Sequence, residues 1–168
     1  MPLLYFVSVW IHVLAAAVWI GSMVFFAIVV LPALRGAGLA ALAPGALKEL
    51  GVRYRRLGWT SLALLITTGV TNLMLRGLGW RDLASAVFWR TDFGRVLGYK
   101  LFFVALVILA TGGHDAFMGR RATKRLVDEP TSENAARIRR RASLLGRATL
   151  LLSLVVLFFA VALVRGLP

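Results

Sequence analysis

Few side chains in this sequence can do chemistry, and the most informative of them stand inside apolar runs. His12 lies about 13 Å into an almost charge-free stretch from Leu3 to Leu31. An ionisable group at that depth is costly in lipid unless it meets a partner, so His12 must point into a bundle. At helical spacing it shares a face with Ala15, Ala16, Trp19 and Met23. Two methyl-sized side chains beside an imidazole, closed off by an indole, leave room for a flat group. A second face carries Lys100, Val104, Val107, Thr111, His114 and Met118, running from an ammonium to an imidazole. Imidazole, amine and thioether are ligands for iron or copper. The chain has no cysteine, which excludes thiolate metal sites, iron–sulfur clusters and disulfides.

Each of these residues also has a plainer reading. A lysine about one turn inside a helix end can snorkel to the headgroups. His114 adjoins Asp115 and lies close to Arg120 and Arg121, as a solvated interfacial histidine would. Methionines fill cores. His12 can hydrogen-bond Thr68 or Asn72 across a helix contact without holding any cofactor.

The elements that must position these groups follow from hydropathy. The chain has 168 residues, 60% of them hydrophobic, and a mean hydropathy of +0.81, outside the range of a soluble domain. Four runs, at about residues 3–31, 57–75, 96–116 and 144–164, are long enough to cross a bilayer. The expected fold is therefore all-α: an integral membrane four-helix bundle, a single membrane domain over residues 1–168 with no soluble domain. The formal charge of +13 is sorted by loop, which argues for contact with anionic lipid and against nucleic acid. Arg35, Lys48, Arg53, Arg55 and Arg56 fall between the first two runs, and nine more Lys or Arg lie from Arg120 to Arg147. The positive-inside rule puts those loops in the cytoplasm and both termini outside, in a bacterial-type inner membrane. The first apolar run is too long, and lacks the basic start, for a signal peptide.

Pro32 is expected to close the first helix, and Pro44 to open a short helix in the loop after it. The second run carries an unusual polar load, Thr60, Thr67, Thr68, Thr71 and Asn72. Its hydroxyls are expected to bond back to their own helix, whereas a buried Asn72 amide needs several partners. From Gly77 to Gly94, the spacing of Trp80, Leu83, Ala84 and Val87 predicts a short amphipathic helix at the interface, extended by Phe88 and Trp89. It would serve as a lid or an anchor. The run TSENAARIRRRASLL predicts an N-capped start continuous with the last span, in a helix of about 50 Å.

The run HVLAAAVWIG, the LP that follows the first span, YRRLGW at the start of the second and DFGRVLGYK at the start of the third resemble the copper-resistance D (CopD-type) membrane domain. More distantly, the chain is similar to HemJ-type protoporphyrinogen IX oxidases. These share a helix-one histidine with a tryptophan seven residues on, and a helix-three lysine. That resemblance implies haem b binding by His12 and Lys100 and oxidation of a porphyrinogen or another small reductant. It carries no role onto His114, which lies later in its helix than the oxidases' histidine.

The resemblance and the residues together lead to a haem b redox protein, with a quinone or a partner protein taking the electrons and a homodimer as one assembly. Haem asks for one or two axial ligands at matched depth, an apolar slot and cations for its propionates. His12 and Lys100 offer the ligands, Ala15, Ala16 and Trp19 the slot, Asn72 a polar neighbour, and Arg76, Arg81, Arg90 or Arg95 the cations. His12 and His114 differ in depth by about 12 Å, too much to share one iron. Copper handling is the alternative, with His114 and Met118 as weaker metal candidates. Met23 lies about 16 Å from His12 along the helix, too far to share an ion with it. A structural subunit without a cofactor is the third reading.

Overall fold

The structure, a computed structural model, describes residues 2–35, 43–118, 126 and 132–165. It is helical, with no strand among the described residues. The elements are α1 (Pro2–Phe25), a π-helical turn (Phe26–Val30), α2 (Leu31–Arg35), α3 (Ala43–Leu75), α4 (Trp80–Ala84), a 3-10 turn (Phe88–Arg90), α5 (Asp92–Phe117) and α6 (Glu133–Arg165). Four stretches are long and apolar enough to cross a membrane: Leu3–Leu34, Glu49–Leu75, Asp92–Phe117 and Glu133–Arg165.

The helix limits differ from the sequence expectation where proline was given too much weight. Pro32 does not end the first helix. The Leu31 N–H reaches back to the Phe26 carbonyl, so the backbone is already in π register before the residue that lacks an N–H, and the chain stays helical to Arg35. The helix opened by Ala43 and Pro44 is not separate from the second span but runs unbroken to Leu75. The loop between them, residues 36–42, lies outside the described residues. At its far end α3 is closed by Gly77 at φ 84°. The Gly77 N–H bonds the Met74 carbonyl at 2.9 Å and the Leu78 N–H bonds the Leu73 carbonyl at 3.1 Å. This paired closure needs a left-handed residue, hence glycine.

The amphipathic helix expected between the second and third spans is one turn long. α4 stops at Ser85, and the Trp89 indole donates to the Leu83 carbonyl at 2.8 Å, folding the segment back over itself. Thr91 then caps α5, accepting from the Gly94 N–H at 3.0 Å. Gly94 meets the preceding turn so closely that a Cβ would stand 2.0 Å from the Phe88 carbonyl oxygen. The first glycine of DFGRVLGYK is therefore architectural. Ser132 caps α6 in the same way, accepting from the Ala135 N–H at 3.1 Å.

α1 packs along α3 and α5 along α6, and these two hairpins meet through α1 and α6 more than through α3 and α5. The centre is Trp19, Met23, Leu62 and Val107, flanked by Tyr54, Leu65 and Leu150. The hydroxyls of Thr68, Thr71, Thr111, Thr149 and Ser153 all bond the carbonyl four residues back, as lipid demands. Trp19 is fixed twice. Its indole N–H donates to Ser153 Oγ at 3.0 Å, and its six-membered ring lies over Gly58, where a Cβ would come within 3.0 Å of Cζ3. The indole cannot retreat without breaking its bond to α6. Gly58→Val is therefore expected to cost about 1–3 kcal/mol in thermal unfolding followed in detergent. Gly112→Ala, where a Cβ meets nothing within 4 Å, is expected to leave the midpoint in place.

Candidate functional site

The histidines of the bundle, and the charged side chains nearest them, lie toward its two ends. At the end that carries α4, helices α1 and α3 run antiparallel and set His12 against Thr68, with His12 Nδ1 2.7 Å from Thr68 Oγ1. The Thr68 hydroxyl has one proton, and its 2.6 Å contact with the Leu64 carbonyl takes it, since a carbonyl only accepts. The hydroxyl oxygen must therefore accept from His12, which puts the imidazole proton on Nδ1 and leaves the lone pair of the neutral ring on Nε2. A hydrogen bond of this kind to the other ring nitrogen fixes the tautomer of metal-bound histidines. Gly69 lies beside the ring, close enough that a Cβ there would stand 3.5 Å from His12 Cε1.

One turn toward the α4 end, Ser8 on α1 and Asn72 on α3 each bury an oxygen, Ser8 Oγ and Asn72 Oδ1, that has no hydrogen-bond partner among the described residues. Ser8 departs from the back-bonding followed by the other membrane hydroxyls just described. A further turn out, the Arg76 guanidinium donates through Nε to the Tyr5 hydroxyl at 2.8 Å and lies over the Tyr5 ring. Lys100 of α5 is half-buried and makes no ion pair among the described residues. It is an electrostatic neighbour of both His12 and Arg76. The result is a polar cluster drawn from three helices, with a histidine nitrogen carrying its lone pair, two orphaned oxygens and cations without a counter-ion among them.

The remaining sequence candidates separate. Ala15 is buried and Ala16 half-buried on the face inward of His12. Trp19, about 10 Å further along the helix, belongs to the central core with its ring over Gly58, not to the polar cluster. Arg95 is exposed and pairs with Asp92 one turn before it. His114 and Met118 lie at the opposite end, His114 some 21 Å from Lys100 along α5. There the Trp59 indole donates to Asp115 Oδ2 at 2.7 Å. Asp115 Oδ1 lies 3.7 Å from His114 Nδ1. Among the described residues no three His, Asp or Glu side chains converge on a common point where they could hold a metal ion.

Sequence reasoning named Thr68 as a partner of His12 but missed Ser8, Tyr5 and Trp59. Ser8 stands four residues before His12 on the same face, a signal that was readable. The Trp59–Asp115 pair bridges 56 positions and left no pattern in the chain.

No curated protein and no solved structure matches this chain. A family model does: copper resistance protein D matches residues 48–163. The match takes in α5, α6 as far as residue 163 and all of α3 that crosses the membrane, hence Thr68, Lys100 and His114, and begins after the span that carries His12. Covering more than half the sequence, it makes this four-span membrane chain a member of the copper resistance protein D family.

Proposed function

We propose that this copper-resistance-related membrane protein is a redox protein that holds one haem b in the half of the bundle facing away from the cytoplasm, with His12 Nε2 as an axial ligand. The observation that carries the reading is the Thr68 hydroxyl, which holds the imidazole as a donor at Nδ1 and so presents Nε2 as a base. The surrounding residues fit the group: Ala15 and Ala16 keep one wall low, and Lys100 brings a second nitrogen. When bound, haem b supplies one-electron exchange at iron. Arg76, oriented by Tyr5, is positioned to meet a propionate, whereas Arg95 is engaged with Asp92. The resemblance to HemJ-type oxidases read from the sequence would make the partners of that exchange a small reductant, a porphyrinogen in that family, and a quinone or a partner protein.

Copper is the second reading, favoured by the family description. In that case the ion is cargo, and the donors at the α4 end are His12 and Lys100 nitrogens with Asn72 and Ser8 oxygens, a set for Cu(II). The soft donor on the His12 face, Met23, is buried in the core and away from that cluster. An ultraviolet–visible spectrum of purified protein, oxidised and dithionite-reduced, with iron and copper counted on the same sample, separates the two. The haem reading expects a Soret band, sharp reduced α and β bands and iron at one per chain. A colourless protein that retains copper would replace it with the second reading.

Variants test the ligands. His12→Ala is expected to abolish the pigment and Lys100→Met to shift the spin state of the iron. Thr68→Val, by releasing the tautomer, is expected to weaken retention about 10–100-fold, while His114→Ala leaves the spectrum unchanged. Loss of pigment in His114→Ala alone would move the site to the other end of the bundle.

The proposed topology, with basic loops in the cytoplasm and both termini outside, has a direct check because the chain has no cysteine of its own. In intact cells Ser85→Cys is expected to react with a membrane-impermeant maleimide, and Asn134→Cys only after lysis. The opposite pattern would invert the protein.

A further inference from the structure

The end of the bundle away from His12 has its own arrangement around one carboxylate. Trp59 of α3 donates to Asp115 Oδ2 at 2.7 Å, which leaves Oδ1 turned to His114 Nδ1 at 3.7 Å. That gap is too long for a hydrogen bond, which closes at about 2.7–3.2 Å. It is close to the spacing of two donors on one ion, since ligands about 2.1 Å from a tetrahedral metal stand about 3.4 Å apart. The His114 and Asp115 side chains are 34% and 23% exposed, reachable by an ion yet sheltered from bulk water. Trp59 does for Asp115 what Thr68 does for His12: it occupies one atom of the group and aims the other. Met118 follows His114 at i, i+4, the spacing at which two helical side chains share one face. The Met118 N–H still bonds the His114 carbonyl at 2.8 Å, so the turn between them stays wound.

We infer that His114 and Asp115, aimed by Trp59, form a binding site for a divalent transition-metal ion, with the Met118 thioether as third protein donor. Nitrogen, oxygen and sulfur together favour a borderline ion such as Cu(II) over magnesium or calcium, which take oxygen ligands. With one histidine and one carboxylate, water completes the shell. The site stands or falls independently of the haem reading, because it shares no residue with the cluster around His12.

The test is a Cu(II) titration of the full-length protein in detergent, carrying a histidine-free affinity tag and read by electron paramagnetic resonance in the His12→Ala background. The chain has two histidines, so any imidazole-nitrogen splitting that survives His12→Ala belongs to His114. The expected result is one Cu(II) per chain with splitting from a single imidazole, lost in His114→Gln and in Asp115→Asn. Trp59→Phe, which keeps both donors and removes only the bond that aims Asp115, is expected to weaken binding about 10–100-fold. Absence of nitrogen splitting at one equivalent of Cu(II), or equal affinity in Asp115→Asn and Trp59→Phe, would overturn the site and leave an interhelical tie. If His12→Ala does not fold, His114→Gln in the wild-type background must remove one equivalent of bound copper, and no change there overturns it equally.

Discussion

A threonine hydroxyl has one proton to give, and at Thr68 that proton is committed to the helix it belongs to. In lipid the Leu64 carbonyl has no water to lean on, so the back-bond is the default of any membrane threonine. What sets Thr68 apart is a second neighbour, His12, 2.7 Å away. Because the hydroxyl can now only accept, it dictates which imidazole nitrogen carries hydrogen. The chemistry available at the α4 end of the bundle follows from this one directional constraint. With the bond reversed, the ring would present a donor on the same side, and the imidazole could act as neither base nor ligand there.

The bundle divides its work by depth. Its centre is dry and exact, with the Trp19 indole wedged between a glycine on one helix and a serine on another. Dispersion and shape complementarity, with one hydrogen bond, lock α1, α3 and α6 there. The hydroxyls at that centre are spent on the helices themselves, and the polar groups left without a protein partner among the described residues lie toward an end, where a ligand or water can satisfy them. Ser8 and Asn72 are the residues to which this applies most directly, because their oxygens are buried and have no protein donor.

The four spans and their approximate places were legible in the sequence because lipid leaves a chain few options: length and the absence of charge are enough. The coupling of His12 to Thr68 was legible as one of two choices, since any helix paired with α1 had to offer that imidazole a polar group. Trp19 was misleading on its own. Its place on the His12 face was read correctly, but a face extends through several layers, and only the partners Gly58 and Ser153 reveal that its layer is the core. Pro32 misled for a different reason, since it was read as a boundary although it stands in a continuous helical path, whereas Pro44 does stand at the opening of a helix, whose continuation into the second span was missed. The Trp89 fold-back over Leu83 and the Trp59–Asp115 bond depend on where a side chain reaches, information that periodicity does not contain.

Two of the four seams between the spans are closed along their length, by α1 on α3 and α5 on α6, and a third is joined over a short stretch, by α1 on α6. The fourth, between α3 and α5, has one hydrogen bond among the described residues, from Trp59 to Asp115, and it lies at the end remote from α4. Such a bundle is bound like a book whose two covers meet at α1 and α6: a clasp holds one corner of the opposite edge, Leu62 and Val107 share the core behind it, and the loop that carries α4 spans the other corner. Were that corner to open, beside Asn72 and Lys100, a flat amphiphile would enter sideways from the leaflet, edge first.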